Sequence, residues 1–185
     1  MPAPPSCFAA IPVVAPERLL HLQGALPAEL RPIHPEDMHL TIAYFGRIDP
    51  SLHAGVLHAL SSLPFEGAAT ELDQLLPLPH RGHPSALTLT LGRGPSRDRI
   101  VSLITEHRPR LLELAGRPAD PREPLPHVTF ARPRGRKMTE AKRAAILEWA
   151  DTRAPLGCPL QLTEVVLMRS LPPRETGPYY ERVRP

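Results

Sequence analysis

Cysteine, lysine and long apolar runs are scarce or absent in this sequence of 185 residues, and each shortage excludes a class of protein. The only cysteines are Cys7 and Cys158, which excludes a disulfide framework and a zinc site built from cysteines. No apolar run approaches the roughly 20 residues that a membrane helix needs. The N-terminal stretch has no basic residue before its short apolar run, which Pro12 interrupts. We therefore expect no secretory signal, no membrane partner and a cytoplasmic location.

The glycine-rich phosphate loops of nucleotide-binding parallel sheets are also missing, because neither GxGxxG nor GxxxxGK occurs. Lysine is rare for a basic chain: only Lys137 and Lys142 occur among 22 basic residues, and the other twenty are arginine. The planar guanidinium suits a phosphate-rich partner. GC-rich codon usage explains the same bias, so composition alone leaves both interpretations open.

The content of the chain, with 42% apolar residues and 26 prolines, predicts a globular protein with many rigid loops. Its length is typical of one domain or of two tightly joined lobes. Hydrophobic periodicity predicts alternating elements: strands at 7–14, 38–46, 86–92, 125–132, 160–170 and 179–183, and helices at 16–25, 49–63, 96–115 and 139–150. The segments 79–84, 116–126 and 171–178 are typical of loops, and their positions suggest the rim of a cleft, although the sequence alone does not place them there.

One motif occurs twice. Residues 39–43 have the sequence HLTIA and residues 127–131 have HVTFA, 88 positions later. This spacing predicts a single bilobal domain over 1–185, with one His-x-Thr motif (39–41 and 127–129) in each lobe. Strand alternation would place His, Thr and Ala of each copy on one face, and the residues between them, with Tyr44, on the other.

Two imidazoles and two hydroxyls that meet across one groove suit transfer at phosphorus without a metal. Imidazole titrates near pH 6.5, so one histidine can accept a proton while the other donates one. The threonine hydroxyls of Thr41 and Thr129 can donate hydrogen bonds to oxygens that gain charge between His39 and His127. We expect no cofactor and no catalytic metal.

The segments HLTIAYFG (39–46) and HVTFAR (127–132) resemble the double signature of the 2H phosphoesterase superfamily. The chain is most similar to the bacterial and archaeal RNA 2′,3′-cyclic phosphodiesterases, also called the 2′-5′ RNA ligase family. The likeness extends to the opening strand with Phe8, the approach PEDMHLTIAYFG, the loop REPLPHVTFAR and the ending VVLMRSLPPRETGPYYERV. It therefore covers nearly the whole chain.

The resemblance implies an α+β fold in which two antiparallel sheets flank a central groove, with helices outside. It implies hydrolysis of a 2′,3′-cyclic phosphate to a 2′-phosphate, on RNA ends or small cyclic nucleotides. We expect the protein to be a monomer. The implied catalytic residues are His39 and His127, and the implied substrate contacts are Thr41, Thr129 and Arg132. Strand parity places Arg132 on the face opposite His127, so a twist or strand end must bring it to the groove.

Three questions of function stay open. His39 is assigned as the acid and His127 as the base, but the near symmetry of the motifs allows the reverse. An ADP-ribose cyclic phosphate hydrolase and a non-catalytic RNA-binding module are alternatives, and 2′-5′ RNA ligation by the same residues is a further activity that stays open. Ser6–Ala9, Thr88 and Thr90 depart from the family pattern, so we expect base contacts that differ from those of the relatives.

The remaining features have a structural and a functional interpretation each. The pair His80 and His83 is a weak candidate for a metal site. The basic run 132–137 either contacts an RNA backbone or is a solvated loop. Tyr179 and Tyr180 alternate faces, so one is expected to stack on a base and the other to pack in the core. Trp149 is expected to pack in the core.

Overall fold

A computed structural model describes residues 5–135, 137–153, 157–172 and 176–184. Within these residues the chain forms nine strands and four α-helices, and none of the helices is long and apolar enough to cross a membrane. The strands are β1 (Ser6–Pro12), β2 (Leu30–Pro32), β3 (His39–Arg47), β4 (Ala68–Leu78), β5 (Ala86–Leu91), β6 (His127–Pro133), β7 (Cys158–Leu162), β8 (Val166–Ser170) and β9 (Tyr180–Arg182). The helices are α1 (Glu17–Gly24), α2 (His53–Ser61), α3 (Pro95–Leu114) and α4 (Glu140–Asp151).

All strand pairs are antiparallel, in the order β7-β4-β5-β6-β3-β1-β8-β9, and β2 pairs with β6. The two predicted sheets are thus the halves of one curled sheet, with β7, β4, β5, β6 and β2 on one side of a central junction and β3, β1, β8 and β9 on the other. The junction is narrow, because β3 and β6 are paired only at Leu40 and Val128. The strands that carry the two motifs are therefore the central pair of the sheet, and the α+β class expected from the sequence is confirmed.

One main hydrophobic cluster covers one side of the sheet and receives all four helices. Trp149 of α4 stacks on Phe130 of β6 at 6.1 Å between ring centroids, and its Nε1 donates to the carbonyl of Ala25. Its predicted packing role is confirmed. A smaller cluster on the other side joins Phe8, Ala10, Val166 and Met168 to the ring of Tyr180. This second cluster packs against the groove described below.

Side chains cap the starts of two helical segments. Asp49 accepts a hydrogen bond from Ser51 N at 2.9 Å and begins a short 3₁₀ turn that leads into α2. Thr139 accepts from Lys142 N at 3.2 Å and caps α4. The long helix α3 continues through Pro109 without ending there.

Other predicted boundaries are wrong. The segment 160–170 is two strands, β7 and β8, which lie in opposite halves of the sheet. Strands β2 and β4 were not predicted. β4 has no clean alternation, because its pairing with β5 shifts register between Leu72 and Leu75. β2 has only three residues, too few for a periodic signal.

Candidate active site at the junction of the two half-sheets

The two motif strands share the same irregularity. In β3, Ala9 pairs with Ala43 and Ala10 pairs with Thr41, so Ile42 is an extra residue opposite β1. In β6, Leu87 pairs with Ala131 and Thr88 pairs with Thr129, so Phe130 is the extra residue. Both extra residues are fourth in their motif. Each motif thus contains a β-bulge at the equivalent position.

The bulges reverse the alternation of side chains in the second half of each motif. Ala43 and Ala131 are fully buried, so the prediction that they share the groove face with the histidines is wrong. Their successors, Tyr44 and Arg132, face the groove instead. This explains how Arg132 reaches the side on which His127 lies, against simple strand parity. It also assigns Tyr44, 61% exposed, to the groove rather than to the opposite face.

The register of β3 and β6 places each imidazole opposite a hydroxyl of the other motif. Because Leu40 pairs with Val128 in an antiparallel ladder, His39 lies across from Thr129, and Thr41 lies across from His127. All four side chains are half-buried and line one groove of about 550 Å³. The groove thus presents a proton-transfer group and a hydroxyl donor from each half of the sheet.

Each histidine is oriented by a backbone carbonyl two residues earlier. His39 Nδ1 donates to Asp37 O at 2.6 Å, and His127 Nδ1 donates to Leu125 O at 2.6 Å. With Nδ1–H engaged in this way, Nε2 is the ring nitrogen left to exchange a proton with a ligand. Both rings therefore have the tautomer that acid–base chemistry in the groove requires.

The two imidazoles differ in their surroundings. The ring of His39 lies 4.6 Å from that of Phe8 and 5.4 Å from that of Tyr180, centroid to centroid. Burial lowers the pKa of His39 below its ordinary value, and the nearby charges of His127 and Arg132 lower it further. The hydrogen bond to the Asp37 carbonyl and the charge of the Asp37 carboxylate partly oppose this shift. In the absence of an anion, His39 is therefore biased toward its neutral form.

A buried carboxylate fixes the chain that covers His39. Asp37 is only 2% exposed, and its oxygens accept from Tyr179 N at 2.9 Å and from Tyr180 N at 3.0 Å. The ring of Tyr180 then meets Phe8 edge-on at 5.0 Å. Burial raises the pKa of the Tyr180 phenol, so it stays a hydrogen-bond donor at neutral pH. Asp37 thus joins the C-terminal segment to the first motif.

The five site residues expected from the sequence all line this groove, namely His39, Thr41, His127, Thr129 and Arg132. Both tyrosines, Tyr179 and Tyr180, also line it, so neither is purely a core residue. Sequence reasoning missed Arg31, Asp37, Tyr44 and Arg122 as lining residues. A bulge brings Tyr44 to the groove, and the pairing of β2 with β6 brings Arg31 there; no local pattern reveals either feature. Asp37 lies in the 3₁₀ turn before β3, and Arg122 lies in the loop 116–126. A larger groove of about 820 Å³ lies between α2 and β8, and no motif residue lines it.

The other candidate features lie outside the groove. The imidazole of His80 accepts from His83 N at 3.2 Å, and no cluster of three metal-ligating side chains occurs in the described part of the chain. The predicted rim loop 79–84 lies elsewhere, where Arg81 pairs with Asp151 of α4. Of the basic run, Arg134 donates to Leu30 O and holds β2, and Arg136 lies outside the described residues.

Thr88, one of the departures from the family pattern, is 1% exposed. Its hydroxyl donates to Leu76 O at 2.8 Å within the pairing of β4 with β5. It therefore supports the sheet and offers no contact to a ligand in the groove.

Comparisons with known proteins agree with this geometry. No family model matches the chain. An RNA 2′,3′-cyclic phosphodiesterase of Aeropyrum pernix is 25% identical over 152 residues, which are 82% of each chain. The structure of E. coli LigT complexed with 3′-AMP has a TM-score of 0.72 at 21% identity and covers 98% of this chain and 96% of that one. Thermus thermophilus TT0787 has a TM-score of 0.67 at 20% identity, with 97% and 95% covered. The chain is therefore similar in sequence to an RNA 2′,3′-cyclic phosphodiesterase and has the fold of LigT, in agreement with the fold that the resemblance of its double motif implies.

Proposed function

We propose that the protein hydrolyses 2′,3′-cyclic phosphates of RNA ends or nucleotides to 2′-phosphates, in the groove between the two half-sheets. The observation that carries the proposal is the antiparallel register at Leu40 and Val128, which sets two oriented imidazoles and two hydroxyls around one centre. The likeness to the phosphodiesterase of Aeropyrum pernix supports the same substrate class. In this proposal, residues 1–185 act as one domain whose two half-sheets are its lobes.

The proposed reaction is a single displacement at phosphorus. Water forms a bond to phosphorus and loses a proton to Nε2 of His127. The bond from phosphorus to O3′ breaks, and the leaving oxygen takes a proton from Nε2 of His39. The product carries a 2′-phosphate and a free 3′-hydroxyl. The same residues acting in the same direction, with an RNA 5′-hydroxyl as the nucleophile in place of water, would form a 2′-5′ phosphodiester and release the 3′-hydroxyl, which accounts for 2′-5′ ligation.

The assignment of acid and base follows the environment of each ring. His127 makes its carbonyl hydrogen bond in an exposed setting, where it has access to bulk water. His39 is covered by Phe8 and Tyr180 and has the Asp37 carboxylate near it. The negative charge of a bound phosphodiester raises the pKa of His39 and favours the imidazolium that a leaving oxygen requires.

The threonines and Arg132 bind the phosphate in this proposal. Thr41 and Thr129 donate to the non-bridging oxygens, on which charge builds up in the transition state. Arg132, which follows the β-bulge at Phe130, donates two parallel hydrogen bonds to the phosphate, a two-pronged contact.

The test is product analysis after incubation with adenosine 2′,3′-cyclic phosphate, with adenosine 2′-phosphate and 3′-phosphate as standards. We expect the 2′-phosphate alone. His39→Ala and His127→Ala should each lower turnover by at least about 100-fold. His21→Ala, an exposed histidine of α1, is the matched control and should retain full turnover. An intact nucleotide after prolonged incubation, or 3′-phosphate as the main product, would refute the proposal. Comparison with ADP-ribose 1″,2″-cyclic phosphate separates the alternative substrate class, and RNA binding without turnover of either substrate indicates the non-catalytic module.

A further inference from the structure

Two arginines stand directly opposite each other at one end of the groove. In the pairing of β2 with β6, Arg31 is the cross-strand partner of Arg132. Both side chains are half-buried, and both line the groove. Like charges directly opposite on a sheet are destabilising. A bound anion would offset this repulsion.

The carboxylates of the groove do not supply that anion. Among the described residues, neither Arg31 nor Arg132 has a carboxylate oxygen within 4.0 Å. Asp37, which lines the groove, is directed to the backbone N–H groups of Tyr179 and Tyr180. Asp120, near the rim, already pairs with Arg108 and Arg122.

One cyclic phosphodiester carries a single negative charge, and Arg132 with the two threonines satisfies it. Arg31 then remains as a second cation beside the first. Its Cζ lies 5.9 Å from the ring centroid of Tyr179, a residue whose backbone is held by Asp37. The guanidinium of Arg31 thus lies beside an aromatic ring, and the residue lines the groove.

We propose that Arg31 binds a second phosphate of the same substrate, the phosphodiester on the 5′ side of the terminal nucleotide of RNA. This inference rests on the function proposed above and deepens it. It makes an RNA end a better substrate than a mononucleotide, because only the RNA end carries that phosphate. A pyrophosphate-linked cyclic phosphate offers the same chemistry from another source, and the experiment separates the two.

The experiment compares kcat/KM on three substrates: a cyclic mononucleotide, a dinucleotide with one internal phosphodiester, and ADP-ribose 1″,2″-cyclic phosphate. For Arg31→Ala we expect the dinucleotide-to-mononucleotide ratio to fall by about 10- to 100-fold, the range of a lost charge-assisted hydrogen bond. Arg31→Lys should lose less, because it keeps the charge. Arg93→Ala, away from the groove, is the control and should leave the ratio as in the wild type.

Salt dependence gives a second readout that a structural role would not change. Each neutralised phosphate of a single strand contributes about −0.7 to the slope of log affinity against log salt. The wild type should show a slope steeper by about this amount for the dinucleotide than for the mononucleotide, and Arg31→Ala should remove the difference.

The outcomes are distinct. An equal loss of kcat/KM on all three substrates in Arg31→Ala, or no loss on any of them, overturns the proposal. If Arg31→Ala lowers kcat/KM only for the ADP-ribose substrate, Arg31 binds a second phosphate, but the assignment of that phosphate to RNA is overturned. If the wild type hydrolyses none of the substrates, the proposed function fails. The Arg31 proposal is then decided by the Kd values of a dinucleotide and a mononucleotide that both end in a 3′-phosphate, measured on the same variants.

Discussion

Asp37→Asn tests how the first motif and the C-terminal segment are held together. The carboxylate makes three contacts of 2.9–3.0 Å with two backbone N–H groups. Asparagine keeps one acceptor oxygen and places an NH₂ group where the other was. We expect the free energy of unfolding to fall by about 1–3 kcal/mol, the cost of one impaired hydrogen bond to a charged group. Asp37→Ala leaves both donors without the carboxylate and should cost about 2–5 kcal/mol.

The same substitution should change the pH profile of kcat/KM. The charge of Asp37 raises the pKa of His39, so its removal lowers that pKa and moves the acid limb of the profile to lower pH. If His39 is the acid, the form with a protonated His39 and a neutral His127 also becomes rarer. The maximum then falls. If His39 is the base, the maximum value of kcat/KM stays the same or rises. The maximum value of kcat/KM in Asp37→Asn therefore tests the role assigned to His39.

Urea unfolding can be followed through Trp149, the sole tryptophan, which is 7% exposed and stacked on Phe130. Asp151→Asn removes an exposed carboxylate that pairs with Arg81, and it serves as the control, with little expected change in either measurement. A folded Asp37→Asn protein with wild-type stability and an unchanged pH profile would refute the account of Asp37.

Three further predictions concern charge and metal. The free energy of unfolding should decrease as the pH falls below about 6.5, because the unfolded chain binds a proton at His39 more readily than the folded chain does. His39→Gln should make this dependence on pH less steep, as measured by urea midpoints from pH 5 to 8. An equally steep dependence in the wild type and the variant would refute a lowered pKa of His39. Arg132→Ala should raise KM more than Arg132→Lys does, since lysine keeps the charge and loses only the fork. Equal KM values for the two variants would count against a role of the charge, and a wild-type KM for Arg132→Lys would refute the two-pronged contact. Activity should survive exhaustive chelation, because the motifs offer no carboxylate pair to a divalent ion; loss on chelation that one metal restores would point to a different site.

The sequence was sufficient for the chemistry of the motifs and insufficient for their geometry. The types and spacing of His39, Thr41, His127 and Thr129 predicted a groove with two imidazoles, since strand alternation holds over the first three residues of each motif. It fails at Ile42 and Phe130, where each strand gains a residue relative to its neighbour. A bulge depends on the pairing of distant strands, so Tyr44 and Arg132 could not be placed from local periodicity.

Long-range pairing also explains what else was missed. Arg31 enters the groove only because a three-residue strand pairs with β6, about 100 positions later in the chain. Asp37 is typical of a surface residue by type, and it is buried because the backbone at Tyr179 and Tyr180 arrives to use both of its oxygens.

The most direct test of the two-histidine account uses a cyclic substrate in which sulfur replaces the leaving O3′. A thiolate leaves without a proton, so it bypasses the general acid but not the general base. We predict that His39→Ala regains most of the wild-type rate on this substrate and that His127→Ala stays at least about 100-fold slower. Equal defects in the two variants on the sulfur substrate, or rescue of His127→Ala alone, would contradict the assignment of His39 as the acid and His127 as the base.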